Sequence, residues 1–474
     1  MAIAAIGGIV LFRIVLALFD RTELSTDEAQ YWFWGQTFDF GAYSKPPLIG
    51  WIIRISTDML GQSVAAVRLP AVLFHAATAL VLFAFTLRIA SAKVALLAAL
   101  SYLTTPAVAL GSAVMTTDTP MLFAAAVAMV GQVGLAQARR EGRPATGIAV
   151  ALGLALGLGL LAKQAMLFWL VGAIAAAILS PKFRLRAADA AVSGAVMLVV
   201  VSPYLWWLAR HDFVTLHHVQ DITRGGTLSA LRPLLFLAEQ FVVMGPVLFA
   251  AMLLAVGGRV HSEWRSGLVA LAMAPLLITL AQGVKGPVLA NWAVLYLIPG
   301  SVLAALWLTR YPGLAKLSLF LGLAVTLALP AVKVFGTGLV GPNGKPLLAR
   351  YLGHADTAQW ALETAQAAGA GTLIAQERSL LADLSWFGAG SGLTIRTVPP
   401  TGRPSHHWEL TAPFTPETDP GPAVLLWPGG QPAACAQARS IGSHEASPGP
   451  FGGRTFVLLH LDAQDCLSNK DTAR

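Results

Sequence analysis

The chain has 474 residues, 56% of them hydrophobic and 12% charged, with a formal net charge of +8. A soluble domain carries about 25% charged residues, and apolar runs near the ~20 residues that cross a bilayer recur from residue 3 to residue 335. The composition therefore excludes an ordinary soluble globular protein. It specifies a polytopic α-helical membrane protein whose first partner is the lipid bilayer. No basic stripe with interleaved aromatics is present, so the positive charge is read as loop anchoring and not as a nucleic-acid surface.

Eleven apolar segments read as spans, at 3–19, 65–87, 94–110, 119–137, 146–161, 165–180, 188–209, 233–256, 267–282, 288–308 and 314–335. The first lacks a basic leader and an A-x-A-like site before Asp20, and reads as a retained helix rather than a cleaved signal. The loops after the even-numbered spans carry Arg88 and Lys93, Arg139, Arg140 and Arg143, Lys182, Arg184 and Arg186, Arg259 and Arg265, and Arg310 and Lys316. The short loops after spans three, five and nine carry no, one and one basic residue. The positive-inside rule then places the even-numbered loops and the N-terminus in the cytoplasm, and the odd-numbered loops and everything after span eleven outside. No pair of broken helices in inverted repeat is visible, as many transporters would show.

The composition changes at GPNGKP, residues 341–346. Beyond it LTIRTV, AVLLWP and TFVLLHLD read as short strands, and TAQWALETAQAAG and LLADLSWFG as helices. Residues 1–340 are thus expected to form a transmembrane domain with a catalytic first outer loop at 20–64, and residues 341–474 a small periplasmic α/β domain. The chain's two cysteines, Cys435 and Cys466, fall in that domain, where they form a disulfide or remain unpaired.

The polar residues gather on the outer side. In the first loop, Ser25 or Thr26 caps a short helix that begins DEAQYWFW and holds Asp27 and Glu28 in its first turn. An aromatic belt at the membrane interface is an equally natural reading of Tyr31, Trp32, Phe33 and Trp34. Lys45 precedes two prolines that stiffen its turn, which suits a compact cation held for a lipid phosphate; snorkelling to headgroups is the alternative. Asp118 opens the fourth span in Thr-Asp-Thr-Pro, in the pattern of an N-cap with Pro120 in the first turn. Lys163 interrupts the apolar stretch GLGLLAKQAMLFW, where a lysine is costly unless paired or wet. His211, His217 and His218 do not match a zinc pattern and read as a solvated loop.

In this order among apolar spans, DEAQYW, YSKPP, TTDTP and LLAKQAM resemble glycosyltransferase family 39, the group of protein O-mannosyltransferases and lipid A aminoarabinose transferases with the GT-C fold. The resemblance covers roughly residues 8–300. It implies a membrane glycosyltransferase in the bacterial inner membrane, with a polyprenyl-phosphate sugar as donor and an envelope glycolipid, glycan or protein as acceptor. Asp27, with Glu28 and Asp118, matches the family's acidic positions, Asp27 being expected to activate or orient the acceptor. Lys45 is expected to hold the donor phosphate, joined by Lys163, while Gln30, Tyr31, Tyr43, His218 and Asn291 are candidates to contact substrate. Gln30 stands where the aminoarabinose transferases carry an arginine, and Ser44 where they carry a glutamate implicated in binding a metal. The resemblance therefore supports no metal and does not name the sugar.

The chemistry stands beside the resemblance. Displacing a glycosyl phosphate needs a base for the acceptor hydroxyl and cations for the leaving phosphate, but no acid, and a single displacement inverts the anomeric carbon. The competing reading is a multi-span transporter or lipid-linked-sugar flippase. It is disfavoured because the ionisable residues crowd the outer loops, whereas transporters bind at the bilayer midplane.

Overall fold

Each of the eleven apolar segments falls on a helix or a pair of helices in the structure, a computed structural model that describes residues 2–225, 227–342, 344–432, 435 and 437–461. Among the described residues six helices are long and apolar enough to cross a membrane, and a bent pair makes a seventh. Ala4–Leu18, Ala92–Leu103, Thr146–Ala162 and Met166–Leu179 are apolar but shorter. The protein is thus a multi-pass membrane protein. The chain divides into two compact units, one comprising Met1–Phe19, Lys45–Ile52 and Ala65–Ala331, the other Asp20–Ser44, Ile53–Val64 and Val332–Arg474.

In the helical unit the Ala290–Leu308 span is 83% buried and forms the centre, whereas Ala187–Arg210 and Pro312–Phe335 are 28% buried and leave their apolar side chains at the periphery. That is the pattern expected where lipid is the outer solvent. Two segments that read as continuous spans are broken. The third ends at Leu103 and restarts as Pro106–Gly111, with Thr105 extended at φ −60°, ψ 143° and its hydroxyl accepting from Val108 N. A residue before proline avoids the helical region, so the break is local steric chemistry. The eighth is the bent pair: Leu231–Val243 and Pro246–Arg259 meet at 113°. Gly245 makes that corner at φ +94°, a conformation open to glycine.

Charge is not confined to the loops, contrary to the sequence reading. Arg13 lies buried inside the first helix and donates to Ser112 Oγ at 2.9 Å and to the Leu103 carbonyl at 2.8 Å. His75 is buried in the Val64–Ile89 helix, with Nδ1 2.9 Å from the Tyr102 hydroxyl. Ionisable groups inside apolar helices persist when partners satisfy them.

The second unit holds a five-stranded sheet of β1 (Thr372–Ala375), β2 (Thr394–Thr397), β3 (Ala423–Pro428), β4 (Arg439–Glu445) and β5 (Thr455–Leu461), in the order β2-β1-β3-β5-β4. β1 runs parallel to β2 and β3, and β5 antiparallel to β3 and β4. Three of these strands coincide with the predicted ones; Asp462, the last residue of the predicted TFVLLHLD, lies outside the described residues. β1 and β4 went unread, β1 for its four-residue length and β4 because it is a largely polar edge strand. The two predicted helices appear as His354–Ala367 and Arg378–Phe387. Cys435 is buried; Cys466 lies outside the described residues.

Close helix approach in the helical unit rests on Gly153 and Gly157. A Cβ at Gly153 would stand 2.5 Å from the Ser193 carbonyl, and one at Gly157 2.7 Å from the Val200 side chain, while Ser193 Oγ donates to the Ala149 carbonyl at 2.9 Å. Small residues four apart are the usual means of bringing membrane helices together. Gly157→Leu should therefore lower stability by about 1–3 kcal/mol through overpacking, read as a drop in the thermal midpoint of the detergent-purified protein. Gly147→Leu, where a Cβ meets nothing within 4 Å, should leave the midpoint unchanged.

Candidate active site

The Asp118–Arg140 helix starts without a side-chain cap, and the Asp118 carboxylate is engaged by two other side chains. Asp118 is the first helical residue and Thr117 the cap position, which corrects the N-cap expectation. Lys163 Nζ donates to Asp118 Oδ1 at 2.7 Å, and Asn291 Nδ2 donates to Oδ2 at 3.0 Å. The side chains of Lys163 and Asp118 are only 11% and 15% exposed. Lys163 ends the Thr146–Ala162 helix in extended conformation, and Asn291 opens a 3-10 turn at Ala290–Tyr296. Three residues singled out separately from sequence, 173 positions apart at the extremes, thus converge on one carboxylate.

Asp118 and Asn291 line a cavity of about 750 Å³ with His75 and Thr119. Apart from Thr116, its remaining wall is apolar, including Leu110, Leu122, Phe241, Val294 and Leu329. Pro106 and Pro246, which follow the two helix breaks, also border it. The cavity matches the usual form of a small-molecule site, an apolar hollow with a few convergent polar groups. His75 was missed from sequence; a histidine within a span was the available signal. Lys45 is half-buried, between buried Ser44 and buried Pro46 and Pro47, just before the Leu48–Leu60 helix. His218 sits half-buried on a helix, Val214–Thr223, where a solvated loop was expected.

In the second unit the DEAQYWFW segment forms the Thr26–Gly35 helix, with Ser25 as its cap. The capping box is complete: Ser25 Oγ accepts from Glu28 N, and Glu28 Oε2 accepts from Ser25 N at 3.1 Å. Glu28 is consequently 1% exposed. Asp27 points the other way and keeps 38% of its side chain exposed. Its carboxylate lies between two arginines that no sequence signal marked. Arg378 Nη1 donates to Oδ1 at 2.9 Å and Arg350 Nη2 to Oδ2 at 3.1 Å. Arg378 Nη1 also donates to Gln30 Oε1 at 3.2 Å.

The aromatic residues of this helix pack inside the unit. Trp32 meets Trp386 edge-on with ring centroids 5.1 Å apart, and Phe33 stacks on Trp408 at 4.7 Å. Each such pair adds about 0.5–1.5 kcal/mol beyond area burial. Tyr31 and Tyr43 are buried, Tyr31 against Trp34, and Tyr43 with its backbone N–H donating to His407 Nδ1.

Arg350 is held from behind. His354 lies between the Arg350 carbonyl, 3.0 Å from Nε2, and the Asp383 carboxylate, 2.8 Å from Nδ1. With an acceptor at each nitrogen, the ring fits the charged imidazolium. Glu23 meanwhile accepts from the backbone N–H groups of His354 and Ala355 at the start of the His354–Ala367 helix.

The fold is that of an integral membrane glycosyltransferase of the GT-C type. ArnT from Cupriavidus metallidurans bound to undecaprenyl phosphate superposes with a TM-score of 0.64 at 16% identity, over 97% of this chain and 98% of that one. The dolichyl-phosphate-mannose-protein mannosyltransferase family model matches residues 44–207. The lipid A galacturonosyltransferase RgtD of Rhizobium johnstonii is 34% identical over 97% of this chain and 98% of its own. The lipopolysaccharide core galacturonosyltransferase RgtB of the same organism is 27% identical over 62% of this chain and 63% of its own. The chain belongs to the glycosyltransferase family 39 type of GT-C glycosyltransferases.

The His354–Asp383 pair predicts a pH dependence. Burial works against the His354 cation, but the hydrogen bond and charge of Asp383, with the Arg350 carbonyl and the charge of Glu23, outweigh it and raise its pKa. Burial pushes the Asp383 carboxyl up to about 6 against the pull of His354. Both folded-state values lie above their unfolded ones, so the folded form holds the extra protons and the pair stabilises most at low pH. Its contribution should be complete below about pH 4 and fall as pH rises through about 6 and beyond. The thermal-midpoint difference between the wild type and an Asp383→Asn/His354→Gln variant should therefore be larger at pH 5 than at pH 8; an equal or reversed difference contradicts the assignment.

Proposed function

We propose that this protein transfers a galacturonosyl residue from a polyprenyl-phosphate donor to lipid A on the outer face of the bacterial inner membrane. The observation that carries the reading is the full-length relation to a lipid A galacturonosyltransferase, which spans both compact units at 34% identity over 97% of the chain. The second support is the fold shared with a transferase that was solved with undecaprenyl phosphate bound. The apolar cavity beside Asp118 suits the isoprenoid chain of such a donor.

In this reading Lys45 and Lys163 serve the donor phosphate, Lys163 with the donors it does not spend on Asp118. Asn291 fixes the other oxygen of Asp118, so that this carboxylate stays aligned when substrate enters. Of the two adjacent carboxylates in the first outer segment, Glu28 closes the capping box, and the acceptor role falls to Asp27. The acceptor hydroxyl gives its proton to Asp27 as its oxygen bonds to the anomeric carbon. The bond from that carbon to the phosphate oxygen breaks, and the electron pair leaves with polyprenyl phosphate, stabilised by the lysines. One displacement inverts the anomeric configuration. The eleven apolar helices are assigned as eleven spans, the shorter ones accommodated by tilt or bilayer thinning. The basic loops support a cytoplasmic N-terminus and a periplasmic C-terminal sheet in this reading.

Asp27→Asn should lower transfer by about 10²–10⁴-fold, the usual cost of losing a general base, with the thermal midpoint preserved. Lys45→Met should raise the donor KM. Mass spectrometry of lipid A from cells carrying each variant reads the outcome. Near-normal turnover in Asp27→Asn would falsify the acceptor assignment.

A further inference from the structure

Asp27 is surrounded by more positive charge than its own carboxylate needs. Arg350 and Arg378 supply two positive charges against one negative, leaving +1 at the cluster, and Gln30 is neutral. Each guanidinium carries five N–H donors in a planar fork. Among the described contacts Arg350 engages Asp27 through Nη2, and Arg378 engages Asp27 and Gln30 through Nη1. The Nε and second terminal nitrogen of each fork are left for a ligand. Both side chains reach solvent, with 70% of Arg350 and 44% of Arg378 exposed, whereas Gln30 is buried beneath them.

The cluster is also held in place at its backbone. The Arg350 carbonyl is 3.0 Å from His354 Nε2, itself paired with Asp383. Glu377, next to Arg378, accepts from Arg454 Nη1 at 2.9 Å, and the Gln376 carbonyl lies 3.0 Å from His406 Nε2. Two forks positioned this way, with a residual single charge, fit one planar oxyanion. They also remove an electrostatic obstacle: an anionic group brought beside Asp27 alone would meet like charge within a few ångströms. A neutral sugar needs no such arrangement, and a cationic sugar would be repelled by the residual charge.

We propose that Arg350 and Arg378 form a subsite that grips the carboxylate of the transferred uronosyl group, and so select an acidic sugar over neutral and amino sugars. This rests on the transferase reading above and names the residues that set its sugar class. Arg378, which touches both Asp27 and Gln30, fixes the orientation of the subsite; Arg350 supplies the second fork.

The test uses the purified full-length protein, lipid A, and two polyprenyl-phosphate donors that differ only in a sugar carboxylate or the corresponding CH2OH. Wild type should prefer the uronosyl donor by about 10²-fold in kcat/KM, the scale of losing charge-assisted hydrogen bonds. Arg378→Gln and Arg350→Gln should each lower kcat/KM for the uronosyl donor more than for the neutral one, eroding that preference, and together abolish it. Arg378→Lys, which keeps the charge without the fork, should restore only part. Because both arginines are largely exposed, an unchanged thermal midpoint is expected and separates the effect from misfolding. Equal losses on both donors, or a rise confined to the KM for lipid A, would overturn the subsite and assign the arginines to positioning Asp27 or to an anionic group of the acceptor. A wild type that uses both donors equally keeps the transferase reading and overturns the subsite; one that uses neither overturns both.

Discussion

Lys163 and Asp118 meet at 2.7 Å with little of either side chain exposed, and Asn291 from a third part of the chain completes the contact. An ionised group taken out of water costs several kcal/mol unless a partner and hydrogen bonds offset it. Here the offset is drawn from distant parts of the chain: the end of one helix, the start of another, and Asn291 from a 3-10 turn. Arg139 and the buried Asp189 pair in the same way near the other end of the Asp118–Arg140 helix, with Nε to Oδ2 at 2.9 Å. Paired charges thus mark both ends of this helix. The apolar cavity opens along the end that carries Asp118, and the two proline-terminated helix breaks border it.

The segment around Asp27 obeys the same constraint by another route. One carboxylate of Asp27-Glu28 turns inward and is consumed by helix capping, a contribution of about 1 kcal/mol. The other stays at the surface between two arginines. Of the aromatics that follow, Trp32 packs on Trp386, Phe33 on Trp408 and Trp34 on Tyr31 and His407. The segment that carries the proposed acceptor residue is therefore as well braced as a sheet-domain helix. A catalytic group needs such support, since small displacements of a reacting group cost large factors in rate.

Much of this was legible in the chain, for physical reasons that differ from residue to residue. AVLLWP reads as a strand because a buried central strand is continuously apolar, and Ala423–Pro428 bears this out. RSIGSHE does not, because an edge strand facing water has no apolar face to betray it. Asp118, Lys163 and Asn291 stand out as polar groups in apolar surroundings, but nothing local says that they share one carboxylate. The breaks at Thr105-Pro106 and Gly245-Pro246 were written in two X-Pro steps and were overridden by hydropathy, which averages across them. Arg350 and Arg378 left no trace at all, since an arginine in a polar, loop-rich domain is ordinary. Their role exists only once the Thr26–Gly35 helix is placed against the residues around it.

The central claim is that this chain moves an acidic sugar from a polyprenyl phosphate to lipid A. Its most direct test is reconstitution of the purified protein with lipid A and a polyprenyl-phosphate galacturonosyl donor, followed by mass spectrometry of both lipids. The account predicts lipid A heavier by one galacturonosyl residue, linked with inverted anomeric configuration, and an equal amount of polyprenyl phosphate released. Lipid A of unchanged mass beside an intact donor, with correctly folded protein present, would contradict it.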